Sequence, residues 1–349
     1  MSPFWSVALA ALMLLGGVGA MQWGSSRAAD LLDAVRGRWG LPATAGGALM
    51  GLATAAPETA VNLSSVAFGW PDLGLGAALG SNVPALPLAV LLSYLAAKSL
   101  PGTLSGETPF RLTQRCHAAV PAGPAGGQAP APRVAPQAAE VQAWPYLGVV
   151  LLLAALTLPP PIAGLQWPDG LALLAAFGCY LAYALLRRPW VDRGTLPPGA
   201  VAHGSVGLPA IAVGAVVSVM GAQRLGGTFG VPDIATGLFA IGLLCALPES
   251  YSAWRFTREG KPTVAIASVM GDGIVSLTVA LLPSALVGAG VGNRPLYLLN
   301  LGFLAAVLVI YILLNRRSGE ELGRRLVWLY TGGYAAYLAA TLFLLTHPG

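Results

Sequence analysis

Long apolar stretches alternate with short polar segments along the whole of this chain of 349 residues. A stretch of about 20 apolar residues is long enough to cross the hydrocarbon core of a bilayer as a helix. The pattern of alternating ~10-residue segments that is typical of a membrane β-barrel is absent from the sequence. We therefore predict an all-α polytopic membrane protein with ten transmembrane helices, at residues 4–24, 42–66, 72–96, 144–163, 169–187, 205–223, 232–256, 262–287, 295–314 and 326–346.

The composition and the placement of the basic residues agree with this layout. Hydrophobic residues make up 56% of the chain and charged residues only 9%, whereas charged residues in soluble domains run near 25%. If the N-terminus lies outside, 17 of the 19 Lys and Arg residues fall in cytoplasmic loops, and only Arg224 and Arg294 lie outside. The positive-inside rule then places both termini outside a cell (inner) membrane. The basic residues form no clustered face, so the sequence predicts the lipid bilayer as a partner and no nucleic acid.

Two stretches that lie 191 residues apart are nearly the same. Residues 51–58 read GLATAAPE and residues 242–249 read GLLCALPE, and the register continues without a gap to Gly80 and Gly271. Each half of the chain holds five predicted helices. Because five is odd, the second half enters the membrane from the opposite side, which predicts two inverted repeats with the substrate near the midplane.

The repeats set the predicted domain boundaries. The first five-helix repeat is predicted at 1–190, with its core motif at 48–95, and the second at 200–349, with its core motif at 239–286. Between the third and fourth spans, a tract rich in Pro, Ala and Gly predicts a flexible cytoplasmic linker at 118–139. The polar segment 26–38 is predicted as an amphipathic continuation of the first helix.

Three acidic residues, Glu58, Glu249 and Asp272, fall deep inside predicted spans, and no Lys or Arg lies at the same depth. A charge at the centre of a membrane helix is costly and marks a functional site by default. Three such carboxylates must be protonated or must hold cations. The alternative is a structural role, in which protonated carboxyl groups hydrogen-bond between helices. Asp72 and Asp233 instead open predicted helices, where a carboxylate favours the positive end of the helix dipole.

The proline before each glutamate adds oxygen ligands to this prediction. Pro57 has no amide hydrogen, so the carbonyl of Ala53 loses its helical partner, and Pro248 has the same effect on Leu244. Carbonyl and carboxylate oxygens are the ligands that Ca²⁺ prefers, and it takes six to eight of them.

Nearby hydroxyl groups complete the predicted site. Thr54 lies one turn before Glu58, and Ser276 lies one turn after Asp272. Ser81 and Asp272 occupy equivalent positions, each 23 residues beyond the glutamate of its repeat. The predicted cation ligands are therefore Glu58, Glu249, Asp272, Ser81, Thr54, Ser276, Ala53 and Leu244.

The paired motifs resemble those of the cation/calcium antiporter superfamily, which includes the sodium/calcium exchangers. That family carries two inverted repeats, each with a G-T-S-x-P-E type segment followed by a G-S-N-x-x-N/D type segment. This chain has ATAAPE with GSNVPA in the first repeat and LCALPE with GDGIVS in the second. The upstream segment WGSSRAADLLDAVRGRWGLP also resembles the first helix of the family.

The resemblance implies a sodium/calcium exchanger-like fold and assigns roles to four positions. It makes Glu58 and Glu249 the central cation-coordinating glutamates, Thr54 a coordinating threonine and Ser81 a serine ligand. Several positions depart from the family pattern. Alanine replaces the motif serine before each Pro-Glu, at Ala55 and Ala246, and Cys245 replaces threonine in the second repeat. The final Asn/Asp of the second segment is replaced by Ala85 in the first repeat and by Ser276 in the second. A carboxylate, Asp272, stands where serine is usual.

The function expected from this reading is secondary active cation antiport, with Ca²⁺ exchanged for Na⁺ or H⁺ by alternating access. The transported inorganic cations are substrates, and no cofactor is expected. The alternative is a transport-deficient or divergent protein of the same fold with a structural or sensing role. An intramembrane enzyme is not expected, because Asp272 is the single aspartate deep in a span and no histidine falls within one. The three cysteines have no metal-binding spacing and predict no disulfide framework, and the oligomeric state is left open.

Overall fold

The computed structural model describes residues 3–39, 51–98, 137–158, 164–186, 199–258, 262–315 and 320–347. These residues are almost entirely helical. Short irregular connections join the helices, and the described residues contain one isolated antiparallel bridge, between Gly164 and Gly290. The predicted all-α fold is therefore confirmed for the part of the chain that the structure describes.

Among the described residues of the first half, five helices have defined bounds, and residues 51–54 are helical as well. They are α1 Pro3–Trp39, α2 Ala56–Ala67, α3 Pro71–Lys98, α4 Gln137–Thr157 and α5 Trp167–Leu186. Helix α1 is much longer than the predicted first span, because the amphipathic segment 26–38 continues the same helix as predicted.

The second half contains longer helices interrupted by tighter and wider turns. They are α6 Ala200–Phe229, α7 Asp233–Thr236, a π-helix Gly237–Gly242, α8 Leu243–Arg258, α9 Pro262–Ser276, a 3₁₀-helix Val279–Leu281, α10 Leu282–Leu286, α11 Arg294–Asn315 and α12 Glu320–Thr346.

Seven segments of the described residues are long and apolar enough to cross a membrane. They are Phe4–Leu32, Pro71–Ala96, Gly204–Phe229, Asp233–Arg258, Ala265–Leu286, Arg294–Leu314 and Leu326–Thr346. The remaining predicted spans correspond to α2, α4 and α5. The chain is therefore an integral membrane protein, and the full count of ten spans stays a prediction.

The fourth span begins and ends earlier in the structure than in the prediction. The prediction placed it at 144–163, whereas α4 runs from Gln137 to Thr157. Pro145 lies inside the helix rather than at its start. A run of three prolines follows at 159–161, and proline lacks the amide that would continue a helix. The end of the predicted linker, 137–139, is thus helical, while 118–136 lies outside the described residues.

The predicted backbone breaks before the two glutamates are not equivalent. In the first repeat the chain leaves the α-helix at Ala55, and α2 begins at Ala56 with Pro57 in its first turn. In the second repeat α8 continues through Pro248, and the irregularity lies upstream in the π-helix Gly237–Gly242. Only the first repeat therefore shows the break directly at the proline.

Glycines allow the two repeats to approach each other at the level of the repeated motif. A β-carbon added to Gly51 would lie 3.0 Å from the carbonyl oxygen of Gly271, and one added to Gly242 would lie 2.5 Å from the carbonyl carbon of Gly80. The two contacts are equivalent, because Gly242 and Gly271 are the repeat counterparts of Gly51 and Gly80. Small residues permit such close helix contacts in membranes. Each motif helix therefore packs against the following helix of the other repeat.

Candidate functional site: a three-carboxylate centre

Glu58 lies at the start of a helix and is buried. It stands in the first turn of α2, and only 2% of the residue surface is exposed. The first four amide groups of a helix have no partner within the helix, and the helix dipole favours negative charge at this end. The break at Ala55 therefore places the Glu58 carboxylate where a negative charge is stabilised.

Three carboxylates from separate helices converge at this point. Glu58 of α2, Glu249 of α8 and Asp272 of α9 each present a ligand atom, and all of these atoms lie within 4.8 Å of one another. Asp272 is buried and Glu249 is partly buried. Two unit charges at 4.8 Å repel by about 3.5 kcal/mol at an effective dielectric constant of about 20. Protons or a bound cation must therefore reduce this repulsion when the three carboxylates lie so close together.

One oxygen of each carboxylate is left without a hydrogen bond. Glu58 Oε2, Glu249 Oε2 and Asp272 Oδ1 are buried and have no hydrogen-bond partner among the described residues. A buried acceptor without a partner loses its hydration with no compensation, at about 1–3 kcal/mol or more for a charged group. These three oxygens are available to a cation.

The hydroxyl groups predicted beside Asp272 are found there. The Ser276 hydroxyl donates to Asp272 Oδ2 at a long 3.5 Å, and the Thr54 side chain is also hydrogen-bonded to Asp272. Ser81 is 1% exposed and donates its hydroxyl hydrogen to the Ala78 carbonyl at 3.1 Å. A hydroxyl oxygen that donates one hydrogen keeps lone pairs for a cation.

The two carbonyl ligands predicted from the prolines differ from each other in the structure. The Ala53 carbonyl accepts a hydrogen bond of 2.7 Å from the Ser25 hydroxyl of α1. Helix α1 thus supplies the partner that Pro57 removes. Leu244 lies in α8, which continues through Pro248, and it stays a predicted ligand.

Sequence reasoning missed a tyrosine and an asparagine beside the carboxylates. The Tyr146 hydroxyl donates to Asn82 Oδ1 at 2.7 Å, and Asn82 Nδ2 donates to the Ala78 carbonyl at 2.7 Å. A β-carbon on Gly273 would lie 2.5 Å from the Tyr146 hydroxyl, so this pair packs on the backbone next to Asp272. The misplaced fourth span put Tyr146 at the membrane edge, whereas it lies near the middle of α4. Asn82 directly follows Ser81, a predicted cation ligand, and this position in the sequence could have indicated that Asn82 lies near the site.

Asp72 and Asp233 do not join the carboxylate centre and stand at helix starts, as predicted. Asp72 is in the first turn of α3 and Asp233 is in the first turn of α7. The Asp72 carboxylate also accepts a hydrogen bond from the backbone of Gly292.

Comparison with known proteins gives one family and one fold. The sequence pattern of the family described as sodium/calcium exchanger protein matches residues 9–186 and 202–343. The chain is 28% identical over 123 residues to the inner membrane protein YrbG of Escherichia coli (strain K12), a match that covers 35% of this chain and 38% of YrbG. The chain thus matches well under two thirds of that relative's length.

Solved structures of the sodium-calcium exchanger NCX_Mj share the fold. The form soaked with 2.5 mM Na⁺ and 10 mM Sr²⁺ superposes with a TM-score of 0.59 at 18% identity, over 95% of this chain and 99% of that chain. The form soaked with 2.5 mM Na⁺ and 0.1 mM Sr²⁺ gives a TM-score of 0.60 at 19% identity, with the same coverage.

Proposed function

The chain belongs to the sodium/calcium exchanger protein family, and from that membership we propose that it exchanges Ca²⁺ for Na⁺ or H⁺ across the membrane. The cation site is the centre formed by Glu58, Glu249 and Asp272. The observation that carries the proposal is the convergence of three carboxylates, each with an unpaired buried oxygen; Glu249 and Asp272 lie in segments long and apolar enough to cross a membrane. Ca²⁺ binds oxygens at about 2.3–2.6 Å, so two ligands on opposite sides of it lie about 5 Å apart. Ligand atoms within 4.8 Å of one another match that size.

The reciprocal packing of the repeats supports alternating access. Gly51 of the first repeat contacts Gly271 of the second, and their repeat counterparts, Gly242 and Gly80, contact each other in the same way. Inverted repeats allow one half to rock against the other around a fixed midplane site, which then opens to each side in turn. The N- and C-termini lie outside the cell (inner) membrane in this proposal.

Coupling arises because both ions compete for the same carboxylates. Ca²⁺ brings two positive charges to the centre, and its departure leaves a repulsion that Na⁺ ions or protons relieve. Alanine at positions 55, 85 and 246 removes side-chain oxygens where the family pattern carries them. Fewer neutral oxygens weaken the case for Na⁺ and favour H⁺ as the coupling ion.

A structural or sensing role is the second candidate function. The closeness of the Glu249 and Asp272 carboxyl groups favours it, because a proton between the two groups joins α8 to α9 without any cation. In that case the protein holds its fold and carries no ion.

Flux measurements in proteoliposomes separate the two functions. Protein purified and reconstituted in known orientation is given an inward or outward gradient of Na⁺ or of pH, and Ca²⁺ movement is followed with a trapped indicator. We expect Ca²⁺ uptake under one of the two gradients and none without a gradient. Absence of gradient-driven movement of Ca²⁺, Sr²⁺ and Mn²⁺ under both conditions would contradict antiport and leave the structural role.

A further inference from the structure

One hydrogen-bonded contact joins the two repeats beside the carboxylate centre and has no role in the function proposed so far. Asn62, one turn beyond Glu58 on α2, accepts two hydrogen bonds at its Oδ1 atom, from the backbone amide of Ser284 in α10 at 3.1 Å and from its hydroxyl at 2.9 Å. Both residues are 0% exposed. A β-carbon on Gly74 of α3 would lie 3.1 Å from Asn62 Nδ2. The Asn62 side chain is therefore held between α3 of its own repeat and α10 of the other.

The Ser284 amide can make this contact because the helix is interrupted in the second repeat. Helix α9 ends at Ser276 and α10 begins at Leu282, so Ser284 lies in the first turn of a new helix. The first amides of a helix have no partner within it. A buried donor that loses its partner costs more than a hydrogen bond broken in water. Separation of α2 from α10 is therefore unfavourable unless water reaches the Ser284 amide.

The inverted repeat has the same place on the other side of the centre, but without the acceptor. The counterparts of Asn62 and Ser284, 191 positions away, are Ala253 and Ser93, and leucines stand two residues before and two residues after each serine. Ala253 and Ser93 are each 1% exposed, so this place is buried as well. Alanine has no side-chain oxygen, and the Ser93 hydroxyl has no hydrogen-bond partner among the described residues. The repeats thus share a buried serine, and only one of the two serines meets an asparagine.

We propose that Asn62 and Ser284 form a latch that holds the repeats closed on the side where α2 ends, whereas the side of Ser93 and Ala253 has no latch and opens more readily. The latched side is the outer one in the topology proposed above, so the protein opens preferentially to the cytoplasm. The inference rests on the proposed function, because a latch on one side selects a direction only if the site opens to each side in turn. The competing role for Asn62 is to cap α10 with no effect on which side opens.

The reactivity of an introduced thiol reports which side is open. Ser65 is 0% exposed and lies three residues after Asn62 on α2, and Thr257 is 1% exposed and lies four residues after Ala253 on α8. Residues three or four apart lie on the same face of a helix. Ser65→Cys is therefore the outer probe and Thr257→Cys the inner probe, each in full-length protein whose three native cysteines are replaced by serine. A small charged methanethiosulfonate reagent is added in detergent, where it reaches both sides of the protein.

The latch is broken in two ways. Asn62→Ala removes the acceptor, whereas Ser284→Ala removes the hydroxyl donor and keeps the backbone bond, so the second variant tests the latch even if the first does not fold. Ser93→Ala is the matched control, because it deletes the counterpart hydroxyl, which has no partner among the described residues. Melting temperatures and gel-filtration profiles establish which variants are folded.

We expect Ser284→Ala to raise the reaction rate of the outer probe about fivefold, the effect of one hydrogen bond of ordinary net strength. The inner probe should react more slowly in the same variant, because a population that shifts to the outward-open state leaves the inward-open state. Ser93→Ala should change neither rate. A faster outer probe with an unchanged inner probe would show local fraying of α10, and equal acceleration of both probes would show general loosening. Either result, or two unchanged rates, overturns the inference.

The latch and the antiporter fail separately, because thiol labelling needs no ion movement. If the two rates shift in opposite directions but no cation moves under any gradient in proteoliposomes, antiport fails and the latch stands. If transport proceeds and Ser284→Ala leaves both rates unchanged, antiport stands and the inference is overturned.

Discussion

The two glutamates of the repeat are equivalent in sequence but stand in different local structures. Glu58 follows a break in the helix and lies in the first turn of α2, whereas Glu249 lies inside the continuous helix α8. The dipole of α2 stabilises a negative charge at Glu58 and contributes no such effect at Glu249. Asp272 does not compensate for this difference, because its carboxylate places a like charge beside Glu249. The centre is therefore asymmetric at the residue level within a symmetric repeat.

Each glutamate should be indispensable for cation movement, because each contributes one of the three converging ligand atoms. Glu58→Gln and Glu249→Gln keep the size of the side chain and remove its charge. We expect gradient-driven Ca²⁺ uptake in proteoliposomes to fall to the level of protein-free liposomes in both variants. Asp30→Asn is a matched control, since Asp30 is exposed in the C-terminal part of α1 and is not one of the three converging carboxylates. Uptake at the wild-type rate in both glutamine variants would place the cation site elsewhere.

Asp272 should act as a third carboxylate ligand displaced by one turn from the family position. Asp272→Asn should weaken divalent binding and change the number of protons released when the cation binds, because one titrating group leaves the centre. Calorimetry in buffers of different ionisation enthalpy measures both quantities. The exchange Asp272→Ser with Ser276→Asp moves the acid by one turn on the same face and should restore part of the affinity. Unchanged affinity and proton release in Asp272→Asn would assign it a purely structural role.

At the level of elements, the site depends on helices that cross with almost no side chain between them. A β-carbon on Gly76 of α3 would collide with the backbone carbonyl of Ile234 in α7, and one on Gly237 of the π-helix would collide with the Leu73 carbonyl. Backbone atoms cannot turn aside as a flexible side chain can. These crossings hold α3, with Ser81 and Asn82, against the segment that leads into Glu249.

Gly76→Ala should therefore destabilise the protein by about 1–3 kcal/mol, the usual cost of forcing extra volume into a packed core. Gly148→Ala in α4 is the control, because a β-carbon there meets nothing within 4 Å and alanine favours the helix. Thermal unfolding in detergent should show a lower melting temperature for Gly76→Ala only. Equal melting temperatures for the two variants would mean that the crossing relaxes without cost.

At the scale of the whole molecule, the placement of basic residues predicts the orientation in the membrane. The ten predicted spans assign 17 of the 19 Lys and Arg residues to one side, and this assignment predicts both termini on the other side. We expect Gln128→Cys to be labelled only from the cytoplasm and Gly349→Cys only from outside, in protein that lacks Cys116. Membrane-impermeant maleimide applied to intact cells and to inverted vesicles measures this. Labelling of both positions from one side would contradict the ten-span topology.

The sequence by itself determined the features that depend on local composition and on repetition. Apolar runs predict helices because a bilayer leaves backbone groups no other partner, and the repeated Pro-Glu motif identified Glu58 and Glu249 because charge is costly at that depth. It also pointed to Asp272, whose convergence with both glutamates is visible only in the folded chain.

Tertiary structure alone decided which groups meet. The Ser25 hydroxyl donates a hydrogen bond to the Ala53 carbonyl, 28 residues away in the chain. The Tyr146 hydroxyl donates to the Asn82 side chain, 64 residues away. No periodicity encodes such pairs, because they depend on how closely glycine-lined helices cross. The sequence pattern also misplaced α4, because the polar residue Gln142 lies before the predicted start of the span and is nevertheless buried. The pattern of apolar residues in one segment indicates whether that segment is buried away from water. Which residues of different helices touch depends on how the helices pack against one another.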